Sequence, residues 1–283
     1  MEIIVDNRLI RVPQGIGQKL GRFYLTRRSY SVMKNTIQAF DKNISHKKRE
    51  LMSKPSLFAG FCVEDAIDTI HKKSVAFGLK LPSDKTDRIH DFAINNFCFE
   101  PEHSKEFKIN EVKNSFLHNR RIFRALVTNL DNCQTIQEII ADPILLKLAC
   151  DCLGYYPSRV TPHLTWSIAS KCPVEEIKPY YPPTNFHYDT AGYNFVTAYF
   201  YITDVDRESG PHVMICNSHR NKPFPLLFSG RHSDEKIYRY YRRENELVVT
   251  GKAGFGFFQD PSCIHKVIPP ITQNRLLFQI RYS

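Results

Sequence analysis

No stretch of about 18 uncharged apolar residues occurs in this 283-residue chain, which excludes a transmembrane helix. No CxxC spacing occurs among the eight cysteines (Cys62, Cys98, Cys133, Cys150, Cys152, Cys172, Cys216 and Cys263), so neither a zinc ribbon nor a dithiol redox motif is expected. Cys150 and Cys152 are closest together, and on a helix such neighbours face different directions. Reduced, mostly buried thiols in the cytoplasm are the expectation. Internal repeats and low-complexity segments are also missing. The start, Met1-Glu2-Ile3-Ile4-Val5-Asp6, is acidic where a secretory signal needs a basic region and a long apolar core. What remains is ordinary for a globular protein: 42% apolar and 24% charged residues, enough for one substantial core.

The net charge of +10 is uneven. Residues 1–50 carry 11 Lys and Arg against 4 Asp and Glu. Such a skew suits nucleic acid, anionic lipid or an anionic substrate, or simply a solvated surface. Lys47-Lys48-Arg49 alone is too short for a nucleic-acid patch.

Up to Gly154 the texture reads as helical. Val63, Ile67, Ile70 and Phe77 form an apolar stripe of helical spacing that Gly78 closes. Residues 111–129 place Val112, Phe116, Phe123 and Val127 among basic residues in the same helical region. Residues 135–149 read as two short helices, or one broken at Pro143. Beyond Gly154 come short runs of Val, Thr, Tyr and Phe between turn residues. Val196–Thr203 alternates Thr197, Tyr199, Tyr201 and Thr203 against Val196, Ala198, Phe200 and Ile202. Arg275–Tyr282 alternates in the same way. A polar face opposite an apolar one suits strands lining a wet cavity. The expected fold class is α+β: one catalytic domain over 1–283, with a double-stranded β-helix (jelly roll, cupin-like) at 134–283 and a helix-rich layer at 1–133 packed on it.

On a strand, residues i and i+2 point to one face about 7 Å apart. In Phe186-His187-Tyr188-Asp189, His187 and Asp189 can therefore reach one metal ion. His265, after the strand-like Gly254–Phe258, would complete a two-His, one-carboxylate face. That face typifies non-haem Fe(II) oxygenases and leaves positions open for an oxo-acid and O2. Arg275, ten residues on, can hold the distal carboxylate of the oxo-acid because its planar fork binds carboxylates bidentately. Thr197 and Tyr199 are secondary candidates beside that cosubstrate. Zn(II) could use the same ligands, but three ligands with a nearby arginine favour iron. His219, His212 and His232 are rival third ligands, with His219 better placed for a structural role at its Asn-Ser-His corner.

Four features together resemble the phytanoyl-CoA dioxygenase family of Fe(II)/2-oxoglutarate oxygenases over residues 134–283. They are Asp142–Leu146 running to Leu153-Gly154; His187-Tyr188-Asp189; Asp204–Pro211 followed by Val213–His219; and His265 with Arg275. The resemblance implies Fe(II) on His187, Asp189 and His265, with 2-oxoglutarate anchored by Arg275 and O2 as co-reactant. Tyr188 and Asn217 depart from the family's usual glutamine and glycine, and Lys266 from a small polar residue. Asp189 argues against the halogenase branch, in which chloride replaces the carboxylate.

The expected reaction is hydroxylation of a small-molecule, anionic or lipid-like substrate. Residues 220–246, with Arg242 and Arg243 among tyrosines, form a candidate substrate lid, the rival reading being an ordinary surface loop or an amphipathic helix whose tyrosines pack down. Arg281 stands six residues after Arg275, a spacing shared with nucleic-acid-repairing oxygenases. An ion-paired or cavity-lining role for Arg281 is favoured over a nucleic-acid substrate. A non-catalytic cupin-like binding protein is the remaining alternative.

Overall fold

The computed structural model describes residues 4–5, 20–51, 53–101, 103–117, 120–190, 193–228 and 230–283. The acidic start lies outside these, apart from Ile4 and Val5. In chain order, the larger sheet takes β1 (Ile4–Val5), β2 (Val75–Lys80), β3 (Phe97–Glu100), β4 (His103–Lys108), β7 (Arg124–Val127), β8 (Arg159–Ser167), β10 (Val196–Tyr201), β14 (Phe255–Gln259) and β16 (Arg275–Tyr282). The strand order is β2-β14-β10-β16-β8-β7-β3-β4, antiparallel throughout, with β1 added parallel to β8. A smaller antiparallel sheet runs β12 (Arg231–His232), β9 (Phe186–His187), β15 (His265–Val267), β11 (His212–Ile215), β13 (Glu246–Val249). From β8 to β16 the chain passes repeatedly between the two sheets.

Alternation along the strands separates three environments. Ala198, Phe200, Leu276, Phe278, Ile280, Leu164 and Trp166 turn outward from the larger sheet into the main core. The helices that cover them are α3 (Val63–Lys73), α4 (Ser83–Asn95), α5 (Gln134–Ile140) and α6 (Pro143–Leu153), contributing Ile70, Ile89, Ile136 and Leu145. Helices α1 (Tyr24–Ala39) and α2 (Lys42–Leu51) precede these. Tyr199, Tyr201, Leu277, Phe257 and Met214 meet between the sheets. Phe186, Val213, Ile215 and Ile264 turn out from the smaller sheet.

Two sequence expectations need correction. The Val63–Ile70 stripe is a helix, but it ends at Lys73, where Ser74 takes a left-handed φ of 73°. Phe77 and Gly78 belong to β2. Phe77 pairs with Phe257 and Leu79 with Gly256, which leaves Gly78 as the extra residue of a bulge at φ 107°. The glycine signal was a bulge rather than a helix cap. The described residues from 112 to 129 are also not helical. Asn114 and Ser115 both adopt positive φ, and the chain then makes a hairpin of β5 (Phe116–Leu117) and β6 (Arg120–Arg121) before β7. The N-terminal layer therefore lends strands as well as helices.

The break between α5 and α6 falls at Pro143, as the proline requires. Asp142 caps α6, accepting from the Ile144 and Leu145 N–H groups. It also accepts from Leu57 N–H and the Ser56 hydroxyl, while only 3% exposed. One carboxylate thus ties the segment before α3 to the start of α6. Asp142→Ala should cost about 3 kcal/mol in urea unfolding, since it removes a cap and leaves buried donors unpaired. A loss below about 0.5 kcal/mol would contradict this role.

Candidate metal centre

Strands β9 and β15 meet through one residue pair, His187 opposite His265. Their rings are 4.4 Å apart between centroids. Asp189 follows two residues after His187, its backbone N–H donating to the Pro261 carbonyl at 3.0 Å. Ligand atoms of His187, Asp189 and His265 all lie within 4.8 Å of one another. The His187 Nε2 to Asp189 Oδ1 distance is 3.8 Å.

Each histidine is oriented by its own strand. His187 Nδ1 sits 2.9 Å from the Asn185 carbonyl, and His265 Nδ1 sits 2.9 Å from the Cys263 carbonyl. A carbonyl only accepts, so both Nδ1 atoms carry the proton and both Nε2 lone pairs face the site. Burial, with help from the neighbouring His265, pushes the His187 imidazole down to about 4. For Asp189, burial opposes ionisation, but His265, His187 and Arg281 outweigh it and hold the carboxyl below its usual range. Two imidazole nitrogens and one carboxylate thus converge on one point, the donor set a divalent transition metal takes.

The loop after β14 holds this arrangement. Asp260 accepts from Arg27 of α1 at 2.9 and 3.0 Å, an ion pair with both side chains largely buried. The loop then supplies the Pro261 and Cys263 carbonyls that position Asp189 and His265.

The cavity continues between the sheets. Arg281 reaches Asp189 Oδ2 at 3.6 Å and lies over the Phe195 ring at 4.7 Å. Arg275 is 1% exposed and donates to the Gly210 carbonyl, to Ser167 Oγ at 2.8 Å and to the Tyr181 hydroxyl at 3.4 Å. Gly210 has φ 84°, a conformation that lets its carbonyl turn to the guanidinium. Among the described residues Arg275 has no carboxylate partner, and its Nε is buried without a hydrogen bond. A buried cation left uncompensated in this way is costly unless an anion joins it.

His212 bridges the two regions. Its ring is 5.2 Å from His265, and burial, His265 and Arg275 together push its imidazole down. Tyr199 stacks on Phe257 at 4.9 Å and lies 5.5 Å from His212, and burial followed by Asp189 raises its phenol. Among the described residues, Thr197 Oγ1, Gln259 Oε1 and His212 Nε2 are buried without hydrogen-bond partners. Such orphaned polar atoms suit a cavity made for a polar guest. The residues present therefore fit both a metal ion and a carboxylate-bearing cosubstrate.

Other expected residues fall elsewhere. Residues 220–246 pack Leu226, Ile237, Tyr238 and Tyr241 onto the outward face of the smaller sheet, the side away from His187 and His265. Arg242 is exposed and pairs with Glu244 at 3.4 Å, while exposed Arg243 lies over Tyr238 at 4.0 Å. The structure brings neither Arg242 nor Arg243 to the triad, whereas Arg231 of the same segment stands opposite His187 in the β12–β9 pair. His219 is structural, its Nδ1 2.7 Å from Ser74 Oγ. His232 Nε2 lies 3.2 Å from the Leu226 carbonyl, also outside the triad. Asn217 takes φ 62°, which explains why asparagine can stand for glycine at that corner.

Sequence reasoning missed His163 and Arg124. His163 shares a face of β8 with Thr165 and Ser167, and faces Gln279 across the sheet. Burial first, then Arg281 and Arg124, push it down to about 3. Alternation in Thr161-Pro162-His163-Leu164-Thr165 was the available signal.

No protein-family model and no curated protein matches the sequence. Solved structures do. AviO1 from Streptomyces viridochromogenes aligns with TM-score 0.51 at 15% identity, over 80% of this chain and 96% of that one. SnoN, a non-haem α-ketoglutarate-dependent epimerase of nogalamycin biosynthesis, aligns with TM-score 0.53 at 14% identity, over 78% and 82%. HygX from Streptomyces hygroscopicus, solved with nickel and 2-oxoglutarate, aligns with TM-score 0.52 at 13% identity, over 79% and 87%. The chain shares their fold.

Acid should expose the buried histidines. Burial also pushes His219 down to about 4. An unfolded chain protonates both His163 and His219 near pH 6.5. Their contribution is complete above about 6.5 and is lost as pH falls toward 4, because the unfolded state then binds protons that the fold refuses. The urea midpoint of the metal-free protein should fall steadily across that window, and His163→Gln should flatten the fall. A midpoint constant from pH 7 to 4.5 would contradict this.

Proposed function

We propose that the protein is an Fe(II)- and 2-oxoglutarate-dependent oxygenase that hydroxylates a C–H bond of a small anionic molecule. The observation that carries this reading is the triad itself: His187 and His265 paired across β9 and β15, both Nε2 atoms freed by the chain's own carbonyls, with Asp189 beside them. His187, Asp189 and His265 would hold the iron. Arg275, with the hydroxyls of Ser167 and Tyr181, would hold the distal carboxylate of 2-oxoglutarate, and Thr197 and Tyr199 would flank it. When bound, such a centre couples oxidative decarboxylation of 2-oxoglutarate by O2 to oxidation of the substrate. The intact carboxylate ligand leaves no metal position for a halide.

The two interleaved sheets suit a double-stranded β-helix. The motifs around His187, Asn217 and His265 make the phytanoyl-CoA dioxygenase-like enzymes the branch we favour. HygX with nickel and 2-oxoglutarate, and SnoN as an α-ketoglutarate-dependent enzyme, lend support through the shared fold. The anionic substrate is inferred from His163, Arg124 and Arg281, the cationic or polar side chains acting on Asp189 from the larger sheet. Nothing in that lining favours a lipid-like substrate. Arg281 turns inward onto Asp189 and Phe195, so it presents nothing to a nucleic-acid backbone. All eight cysteines are free, which suits a reducing, cytoplasmic setting.

The protein's residues would orient and exclude. Arg281 would hold Asp189 ionised toward the metal, and the Nδ1–H donors would keep the imidazoles from turning. Adding Fe(II) and 2-oxoglutarate without oxygen should give a visible charge-transfer band. Arg275→Gln should raise the 2-oxoglutarate concentration required by roughly tenfold to a hundredfold. Asp189→Ala should weaken Co(II) binding in calorimetry. Failure of the unaltered protein to bind Co(II) or Fe(II) at micromolar concentration would remove the enzyme reading and leave the binding-protein alternative.

A further inference from the structure

Among the described residues of the basic first fifty, Arg27 is the one that holds the loop of the metal centre. Helix α1 has two faces of different character. Its inner face is firmly seated. Arg27 is paired with Asp260, Gln38 exchanges hydrogen bonds with the Tyr156 backbone at 2.8 and 2.7 Å, and Tyr30 stacks on Tyr193 at 4.8 Å. Its outer face carries Leu25, Val32, Met33 and Ile37, continued by Phe40 just past the end, with exposures from 50% to 84%. Steps of seven, eight, twelve and fifteen residues from Leu25 keep these on one side of a helix. Monomeric proteins seldom leave such a contiguous apolar strip in water.

The strip extends beyond the helix. Phe224 and Phe228, 72% and 58% exposed, pack edge to face at 4.8 Å. Phe228 meets Phe23 at 6.5 Å, and Arg22 donates to the Leu227 carbonyl at 3.1 Å, joining this loop to the start of α1. Exposed cations lie on the same two helices, Arg28 on α1 and Lys42, Lys48 and Arg49 on α2, with Lys42 two residues past Phe40. None of these four has a carboxylate within ion-pair distance among the described residues.

We propose that α1, with the Phe224–Phe228 loop, docks this protein on an anionic lipid surface. The exposed aliphatic and phenyl side chains can enter the acyl boundary while the Lys and Arg heads stay with the headgroups. A negative leaflet attracts such basic residues, and the attraction is screened by salt. Among the described residues no helix is long and apolar enough to cross a membrane, and α1 would lie on the surface. A second copy of the chain fits the ridge less well, since each copy carries a net +10 and would oppose basic residue to basic residue.

The test is co-sedimentation of the full chain with vesicles of 70% phosphatidylcholine and 30% phosphatidylserine, and with phosphatidylcholine alone. The expected result is binding at least tenfold tighter to the anionic vesicles and weakened by 0.5 M salt. The double variant Val32→Asp/Ile37→Asp should lose at least tenfold in binding while keeping its melting temperature and its Co(II) affinity. Ile271→Asp, at another exposed apolar position, should bind as the unaltered protein does. Absence of binding to the anionic vesicles, or equal binding by the double variant, would overturn the proposal. So would sedimentation showing a dimer that the double variant abolishes, because the ridge would then be an interface between copies.

Discussion

The ion pair between Arg27 and Asp260 is the constraint on which the site's geometry rests. Asp260 opens the short loop whose Pro261 carbonyl takes the Asp189 N–H and whose Cys263 carbonyl takes His265 Nδ1. Three residues of loop therefore set both the carboxylate and one imidazole. The anchor for that loop comes from a helix more than two hundred residues earlier in the chain. Breaking a buried pair of this kind leaves an uncompensated charge, and the disturbance would reach the metal ligands before it reached the sheets. Burial opposes ionisation of Asp260, but Arg27 and then His219 outweigh it, so its carboxyl is held down at about 2 and stays ionised at any ordinary pH.

The grouping of His187, Asp189 and His265 was legible from a strand period of two, although β9 ends at His187 and Asp189 is placed beyond it by the Pro261 carbonyl. The shared fold of AviO1, SnoN and HygX agrees with that architecture. The outer pieces were harder to read. Phe77 falls at helical spacing from Ile70, yet β2 begins at Val75 because pairing with β14 outweighs the continued stripe. Gly78 was a true signal attached to the wrong element. Residues 220–246 left two readings open, because tyrosines interleaved with arginines look alike whether they cover a ligand or a sheet; in the fold Tyr238 and Tyr241 pack against Phe186, Val213, Ile215 and Ile264.

The space between the sheets contrasts with the core outside them. Beyond the larger sheet, apolar side chains from four helices fill the volume. Inside, among the described residues, several polar atoms lack partners, and the fully buried Arg275 is met by the neutral oxygens of Gly210, Ser167 and Tyr181. Folding pays for such an interior, and proteins keep costs of this kind where a ligand repays them. His163 and Arg124, which no motif flags, share the same interior because β7 and β8 bring them beside Asp189.

The position of β16 has a consequence for how the molecule is made. It is the last strand in chain order, yet it lies in the middle of the larger sheet, between β10 and β8. While a ribosome is still delivering residues 275–282, β8 and β10 have no common neighbour, and their apolar faces stay open. The sheet cannot zip from one edge as it emerges; it must wait for its centre and then close around it. Long-range pairing of this sort slows folding and lengthens the interval in which unpaired strand edges are exposed. Because Arg275 arrives with that same strand, the cavity gains its buried cation only at the moment the sheet becomes whole.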